Sequence, residues 1–250
     1  IDILAIQETR RPFSEPHICK GYTILLSSAN AEPRSQDKSA DFMYKKANSL
    51  FKGKRALTDK ISAKTRNKAR TDKKNLEFAG DGFVISPHWL PYIREYHCMS
   101  SREMHLTLNT TGALTTLINM YLPQNGLSWE LRELWYSRLT QAVLSHPKHY
   151  NTIVTGDLNA QLHQRLPSET DCLGTHTFGT HAQAVAKAAD AQDNRGLFIE
   201  FLRDTKSTPI NTTFKKSDKQ LITHRRPAAK DWNISFTNFA TNDYIVCKNK

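Results

Sequence analysis

The fold of this chain is most restricted by its apolar runs, which are short and end on acidic or amide residues. Ile3-Leu-Ala-Ile6 runs into Gln7-Glu8-Thr9, Thr152-Ile-Val-Thr155 runs into Gly156-Asp157-Leu158-Asn159, and Asn242-Asp243-Tyr244 opens a last run. Runs of this length read as buried strands delivering a polar residue at a sheet edge. Strand ends on one edge converge, so carboxylates far apart in sequence can share one divalent cation. No run approaches the roughly 20 residues of a membrane span, so neither a membrane nor a membrane partner is expected.

Between these points the sequence predicts further elements. Tyr22 to Leu26 and Gly82-Phe-Val-Ile-Ser-Pro87 have strand composition, with Pro87 as a stop. Met104 to Leu108 alternates apolar and polar residues and Ala113 to Leu122 is a longer buried run, predicting an antiparallel pair that turns at Thr111-Gly112. Leu131, Leu134, Trp135, Leu139 and Val143 have helical spacing, with Ser128 as N-cap and Pro147 as terminator. A second helix carries Leu197, Phe198, Phe201 and Leu202, starting near Asp193 or Asn194 and halting before Pro209. Short strands are expected at 210–214, 221–225 and 243–246. Strands outnumber helices, and hairpins mix with helical crossovers. We therefore expect an α/β (α+β) fold of two packed mixed sheets flanked by helices rather than a doubly wound parallel sheet.

At 250 residues with no linker-like stretch, one domain with an insertion is the economical organisation. The insertion is visible in the charge. Of a net +11, +10 falls between Arg34 and Lys74, where 14 Lys and Arg stand against four Asp. Affinity for polyanions therefore belongs mainly to this segment of about 34–75. Two readings of it stay open: Met43, Ala47, Leu50, Leu57 and Ile61 suit a helix or two, and high polarity with Gly53 suits a solvated loop. Ile1 opens inside a strand-like run without an initiating Met, so the chain is expected to be a piece of a longer protein, truncated at both ends. The four cysteines, Cys19, Cys98, Cys172 and Cys247, lack C-x-x-C spacing and are expected as reduced thiols of a nuclear or cytoplasmic protein. The ten histidines include no H-E-x-x-H pair, and no zinc site is expected.

Taken in order, the strand ending Gln-Glu-Thr, the Tyr121-Leu-Pro123 turn, Gly156-Asp-Leu-Asn159 and Asp243-Tyr-Ile245 resemble the endonuclease/exonuclease/phosphatase superfamily, which includes DNase I and the apurinic endonucleases. Gly82 to Pro87, Ser100-Ser-Arg-Glu-Met104, Ile118 to Gln124, Asn211-Thr212 and Leu221-Ile-Thr-His-Arg225 look most like the endonuclease domains of non-LTR retrotransposons. The resemblance spans nearly all of the chain outside the basic segment.

It implies a four-layer, DNase I-like sandwich and a Mg²⁺- or Mn²⁺-dependent phosphodiesterase that nicks DNA. Glu8 would be the metal ligand and Asp157 the group that orients or deprotonates the attacking water. Asn159, expected on the same strand face as Asp157, would donate to a phosphate oxygen. Tyr121 would contact the scissile phosphate, and Asp243 would hold a histidine in its working tautomer. Arg102, Gln124 and Arg225 are the expected substrate-binding residues. His224 stands where many relatives carry Trp. The family's upstream Asn strand and its downstream Ser-Asp-His motif fall outside these 250 residues. The expected setting is a monomeric domain, part of a larger reverse-transcriptase polyprotein. Two alternatives remain: a catalytically dead nucleic-acid-binding remnant, and a phosphatase or phosphodiesterase of the same fold acting on small headgroups.

Neutralised phosphates release counterions, so a DNA-binding basic segment steepens the salt dependence of binding. Deletion of Lys45 to Lys74 is expected to weaken DNA binding and flatten the plot of log affinity against log salt. An unchanged slope rejects a DNA-binding role for the segment.

Overall fold

The computed structural model describes residues 2–9, 16–27, 80–110, 112–225, 235–236 and 238–248. The basic segment lies outside the described residues. The fold is mixed α/β, as expected, and the chain divides into two compact units, Ile1–Tyr121 and Leu122–Lys250.

The first unit contains two packed sheets. Strands β1 (Ile3–Ile6), β4 (Gly82–Ile85), β3 (Tyr22–Leu26) and β2 (His17–Cys19) form one, in that spatial order and antiparallel throughout. The meander of β5 (Ile93–Ser100), β6 (Glu103–Thr110) and β7 (Ala113–Met120) forms the other. The expected hairpin is present, and Gly112 takes the positive φ of +82° that its turn requires. Leu25, Phe83 and Ile85 from the first sheet interdigitate with Met104, Leu106 and Leu108 from the second. Each such buried side chain contributes about 1.5–3 kcal/mol by leaving water. A Cβ at Gly82 would run into the Leu25 carbonyl, so β3 and β4 approach closely only because residue 82 is Gly.

Apolar and polar residues alternate along β6, and both of its faces are buried over Glu103–Leu108. His105 and Glu103 pair at 3.0 Å, and the Thr107 and Thr116 hydroxyls meet at 3.2 Å. Buried polar groups are tolerable when paired in this way.

In the second unit, β12 (Asp243–Lys248) lies between β8 (Asn151–Asp157) and β9 (Ser207–Pro209), antiparallel to both. A small ladder pairs β10 (His224–Arg225) with β11 (Phe239–Ala240). Helix α1 (Trp129–Ser145) packs on α3 (Asn194–Thr205); α2 (His181–Ala189) lies between these two in sequence, and the short α4 (Asp218–Leu221) lies between α3 and the small ladder. Helix α1 ends before Pro147, whose ring disfavours helical geometry at His146. Asp193 caps α3 by accepting from the Arg195 N–H.

Three local expectations are corrected. The α1 face that is buried carries Arg132, Tyr136, Leu139, Ala142 and Val143, whereas Leu131, Leu134 and Trp135 are only half-buried. The helix is turned this way because Arg132 donates to Leu127 O, Asn125, Gln192 O and Asn194, and Tyr136 donates to Leu158 O. Residues Ile210–Thr212 form a 3-10 turn after β9 instead of a strand, closed by Thr213 hydrogen bonds to Ile210 O. Leu221 ends a helix capped by a Ser217–Gln220 box, leaving only His224–Arg225 as strand.

Arg195 on α3 is 1% exposed and grips Glu169 with both terminal guanidinium nitrogens, at 2.6 and 2.7 Å. Removing one partner strands the other charge in a dry interior. Arg195→Met is expected to cost about 3–5 kcal/mol in urea unfolding, and a loss under about 1 kcal/mol would show that the pair is solvated.

Candidate active site

The candidate residues fall into two groups, one in each unit. In the first unit, β1 ends at Ile6 and the chain leaves it through Gln7 and Glu8. The Gln7 amide donates to Asn119 Oδ1, and Asn119 Nδ2 donates to Ile6 O at 3.0 Å and Gly82 O at 2.9 Å. Asn119 is fully buried. Its carboxamide thus holds the end of β1 against β4, and Thr9 N donates to Gly80 O on the far side of Glu8. Between these ties Glu8 has φ +53°, a left-handed conformation costing a non-Gly residue about 1–2 kcal/mol. Its carboxylate is exposed and accepts a hydrogen bond from the Tyr121 hydroxyl.

Arg102 was expected at a phosphate, but it is 4% exposed and lies against Tyr121, its guanidinium carbon 4.5 Å from the ring centroid. Asp81 is fully buried next to Gly80, with its N–H donating to Ser27 Oγ at 2.8 Å. Sequence reading passed over Asp81 because Gly80-Asp81-Gly82 has the composition of an ordinary turn.

In the second unit, Asp157 ends β8 and Asp243 begins β12, and the two are direct partners across the ladder. Asn159 does not share a strand face with Asp157, as alternation had suggested. The strand stops at Asp157, and Asn159 turns into the left-handed region at φ +49°. Asp157 Oδ1 accepts the Asn159 N–H at 2.9 Å, an Asx-type turn that Asn tolerates better than most residues. Leu158 between them is fully buried, as expected.

The turn is fastened on every side. Asn159 Nδ2 donates to Leu122 O at 2.8 Å, and Leu122 N donates to Asp157 O at 2.9 Å. Asn194, fully buried, donates to both Asn159 O and Pro123 O, at 2.9 and 2.8 Å. The Tyr136 hydroxyl reaches Leu158 O at 2.7 Å. Its pKa is raised well above the usual phenol value, first by burial, with the neighbouring Tyr244 phenol and the Asp157 carboxylate adding to the rise, which keeps it a proton donor. Asn211 Nδ2 holds Asp243 O at 3.0 Å, and Thr223 Oγ1 accepts from the Asn242 and Asp243 N–H groups.

Asn194 is a supporting residue that the sequence disclosed only as a helix start. Its signal was Asp193-Asn194-Arg195, three polar residues in a row that all prove buried. Arg225 is half-buried on β10 opposite Phe239, and Gln124 is exposed, with its carbonyl accepting from Leu127 N. The four cysteines are free thiols: Cys19 is exposed, and burial pushes the Cys172 thiol up to about 11. No described helix is long and apolar enough to cross a membrane.

No protein-family model matches this chain, and no curated protein matches it. Solved structures do. The AP endonuclease LMAP from Leishmania major superposes over 99% of this chain and 70% of its own, with a TM-score of 0.53 and 12% identity. An endonuclease/exonuclease/phosphatase family protein from Leptotrichia buccalis (12% identity, TM-score 0.43) and a 3'-5' exonuclease from Neisseria meningitidis (15%, 0.41) align with 69% of this chain. Those two alignments take in 55% and 63% of the respective partners. The first likeness shows the fold: this is the DNase I-like α/β architecture expected from the motif series.

The left-handed turn at Asn159 has a measurable consequence. Glycine adopts positive φ at little cost, whereas alanine pays about 1–2 kcal/mol there. Asn159→Gly is therefore expected to be more stable than Asn159→Ala by roughly that amount in chemical denaturation. The opposite order would return residue 159 to an extended strand.

Proposed function

We propose that this chain is the single endonuclease domain of a retrotransposon-type protein, a divalent-cation-dependent phosphodiesterase that nicks DNA. The observation that carries this reading is the pairing of Asp157 with Asp243 across β8 and β12, with Asn159 folded back onto Asp157. Like charges directly opposite on neighbouring strands destabilise a sheet. Two carboxylates held there against that repulsion, beside an amide donor, suit chemistry on a phosphate better than they suit stability. The DNase I-like fold and the ordered motifs support the same conclusion.

Asp157 accepts the proton of the attacking water. One amide hydrogen of Asn159 is committed to Leu122 O, and the other donates to the phosphate oxygen on which charge grows in the transition state. Tyr121, whose single hydroxyl hydrogen is donated to the Glu8 carboxylate here, would turn that hydrogen to the scissile phosphate, as the sequence resemblance implies. Asp243 orients a histidine, as the sequence resemblance implies.

Mg²⁺, or Mn²⁺ in its place, is the cation this reading requires. Among the described residues no three His, Cys, Asp or Glu side chains gather as a ready-made cage. The Glu8 carboxylate nevertheless fits, because Mg²⁺ binds through one or two carboxylates and completes its shell with water and phosphate. The bound cation would neutralise phosphate charge and polarise the bond to be broken. The basic segment would add sequence-independent affinity for DNA.

Supercoiled-plasmid nicking with Mg²⁺ against EDTA tests the proposal on this chain, on Asp157→Ala and on a version extended at both ends from its source. Metal-dependent nicking that falls by about 10²-fold or more in Asp157→Ala is expected. If neither length cuts while both bind DNA, the protein is a binding remnant and the proposal fails.

A further inference from the structure

Arg102 is a buried cation in the first unit that the chemistry above does not use. It sits immediately before β6, 4% exposed, with its N–H on Ser100 Oγ at 3.1 Å. It meets Tyr121 at three points. The Arg102 carbonyl accepts the Tyr121 N–H at 3.0 Å, Arg102 Nη1 donates to the Tyr121 carbonyl at 3.3 Å, and the guanidinium lies over the ring face. Backbone and ring of Tyr121 are thereby gripped by one residue, while the hydroxyl at the far end of the ring addresses Glu8.

We infer that Arg102 is a positioning residue, which aims the Tyr121 phenol and does not itself bind DNA; this rests on the nuclease reading. A phosphate in solvent would have to draw the guanidinium off the Tyr121 ring and out of a site that is 4% exposed. The planar, weakly hydrated guanidinium suits this role. It stacks on an aromatic face while donating in its own plane, which a lysine ammonium cannot do. A phenol held from behind keeps one direction as substrate arrives, and misplacement of a reacting group by about 1 Å can cost about 10²-fold in rate.

The test compares Arg102→Met and Arg102→Lys, each alone and combined with Tyr121→Phe, in steady-state plasmid nicking. The tyrosine 13Cζ spectrum of each protein is recorded alongside, with Tyr121 assigned from its loss in Tyr121→Phe. We expect Arg102→Met to lower kcat by about tenfold or more with KM within about twofold. Arg102→Lys should recover part of kcat. In the Tyr121→Phe background the Arg102→Met loss should shrink to about twofold or less, because no phenol remains to be aimed. The Tyr121 resonance should move in Arg102→Met while the other tyrosine resonances stay in place.

A raised KM at unchanged kcat, with a salt slope of binding reduced by about one, would make Arg102 a phosphate contact and overturn the inference. So would an unmoved Tyr121 resonance, or an undiminished loss in the Tyr121→Phe background. If the wild-type protein does not nick, the nuclease reading falls, and the resonance alone decides whether Arg102 sets Tyr121. If Arg102→Met does not fold, Arg102→Lys carries both readouts, with a partial kcat loss and a moved resonance expected.

Discussion

A strand that ends inside a protein leaves carbonyl oxygens without ladder partners, and here two buried asparagine side chains supply the missing donors. Asn119 gives both hydrogens of its carboxamide to Ile6 O and Gly82 O, and Asn194 gives both of its own to Pro123 O and Asn159 O. A buried carbonyl left without a donor costs about 1–3 kcal/mol. The geometry around Glu8 depends on the first asparagine and that around Asn159 on the second. Neither asparagine carries out chemistry in the proposed reaction. Each fixes a chain segment that does.

Such fixing is necessary because the candidate site is locally unfavourable. Glu8 and Asn159 are both at positive φ, and Asp157 faces Asp243 across a ladder. Strain and like-charge contacts of this kind persist only where the surroundings over-determine them. The surroundings here include the buried Arg195–Glu169 pair, the Arg132 guanidinium with its four acceptor groups, and the interdigitated core beneath Gly82. The Tyr136 phenol adds a donor to Leu158 O, and burial keeps it protonated. Scaffold stability thus offsets the local cost at the residues proposed to act on phosphate.

Much of this architecture was legible in the order of residues. Strand-length apolar runs placed β1, β3, β4, β6, β7, β8 and β12, and the helical spacing with Asp193 at its head placed α3. The errors have a common cause. A periodic pattern reports which side chains prefer burial, but not which polar ones will find partners. Arg132 and Tyr136 displaced Leu131, Leu134 and Trp135 from the buried face of α1 because carbonyl and amide acceptors met them there. The polar face of β6 is buried for the same reason, with His105 on Glu103 and Thr107 on Thr116.

By itself, the sequence determined the fold class, the placement of Asp157 and Asp243 at strand ends, and the concentration of charge in one segment. These follow from local apolar periodicity and from counting charges, neither of which needs long-range contacts. The tertiary structure alone decided that Asn159 leaves the strand for a left-handed turn, that Asn194 is the hidden support of that turn and Asn119 that of the chain leading to Glu8, and that Arg102 lies on Tyr121 rather than in solvent. Each of those outcomes turns on a hydrogen bond or ring contact between residues distant in the chain. Such contacts are set by how strand ends and loops meet in space, which a one-dimensional pattern does not encode.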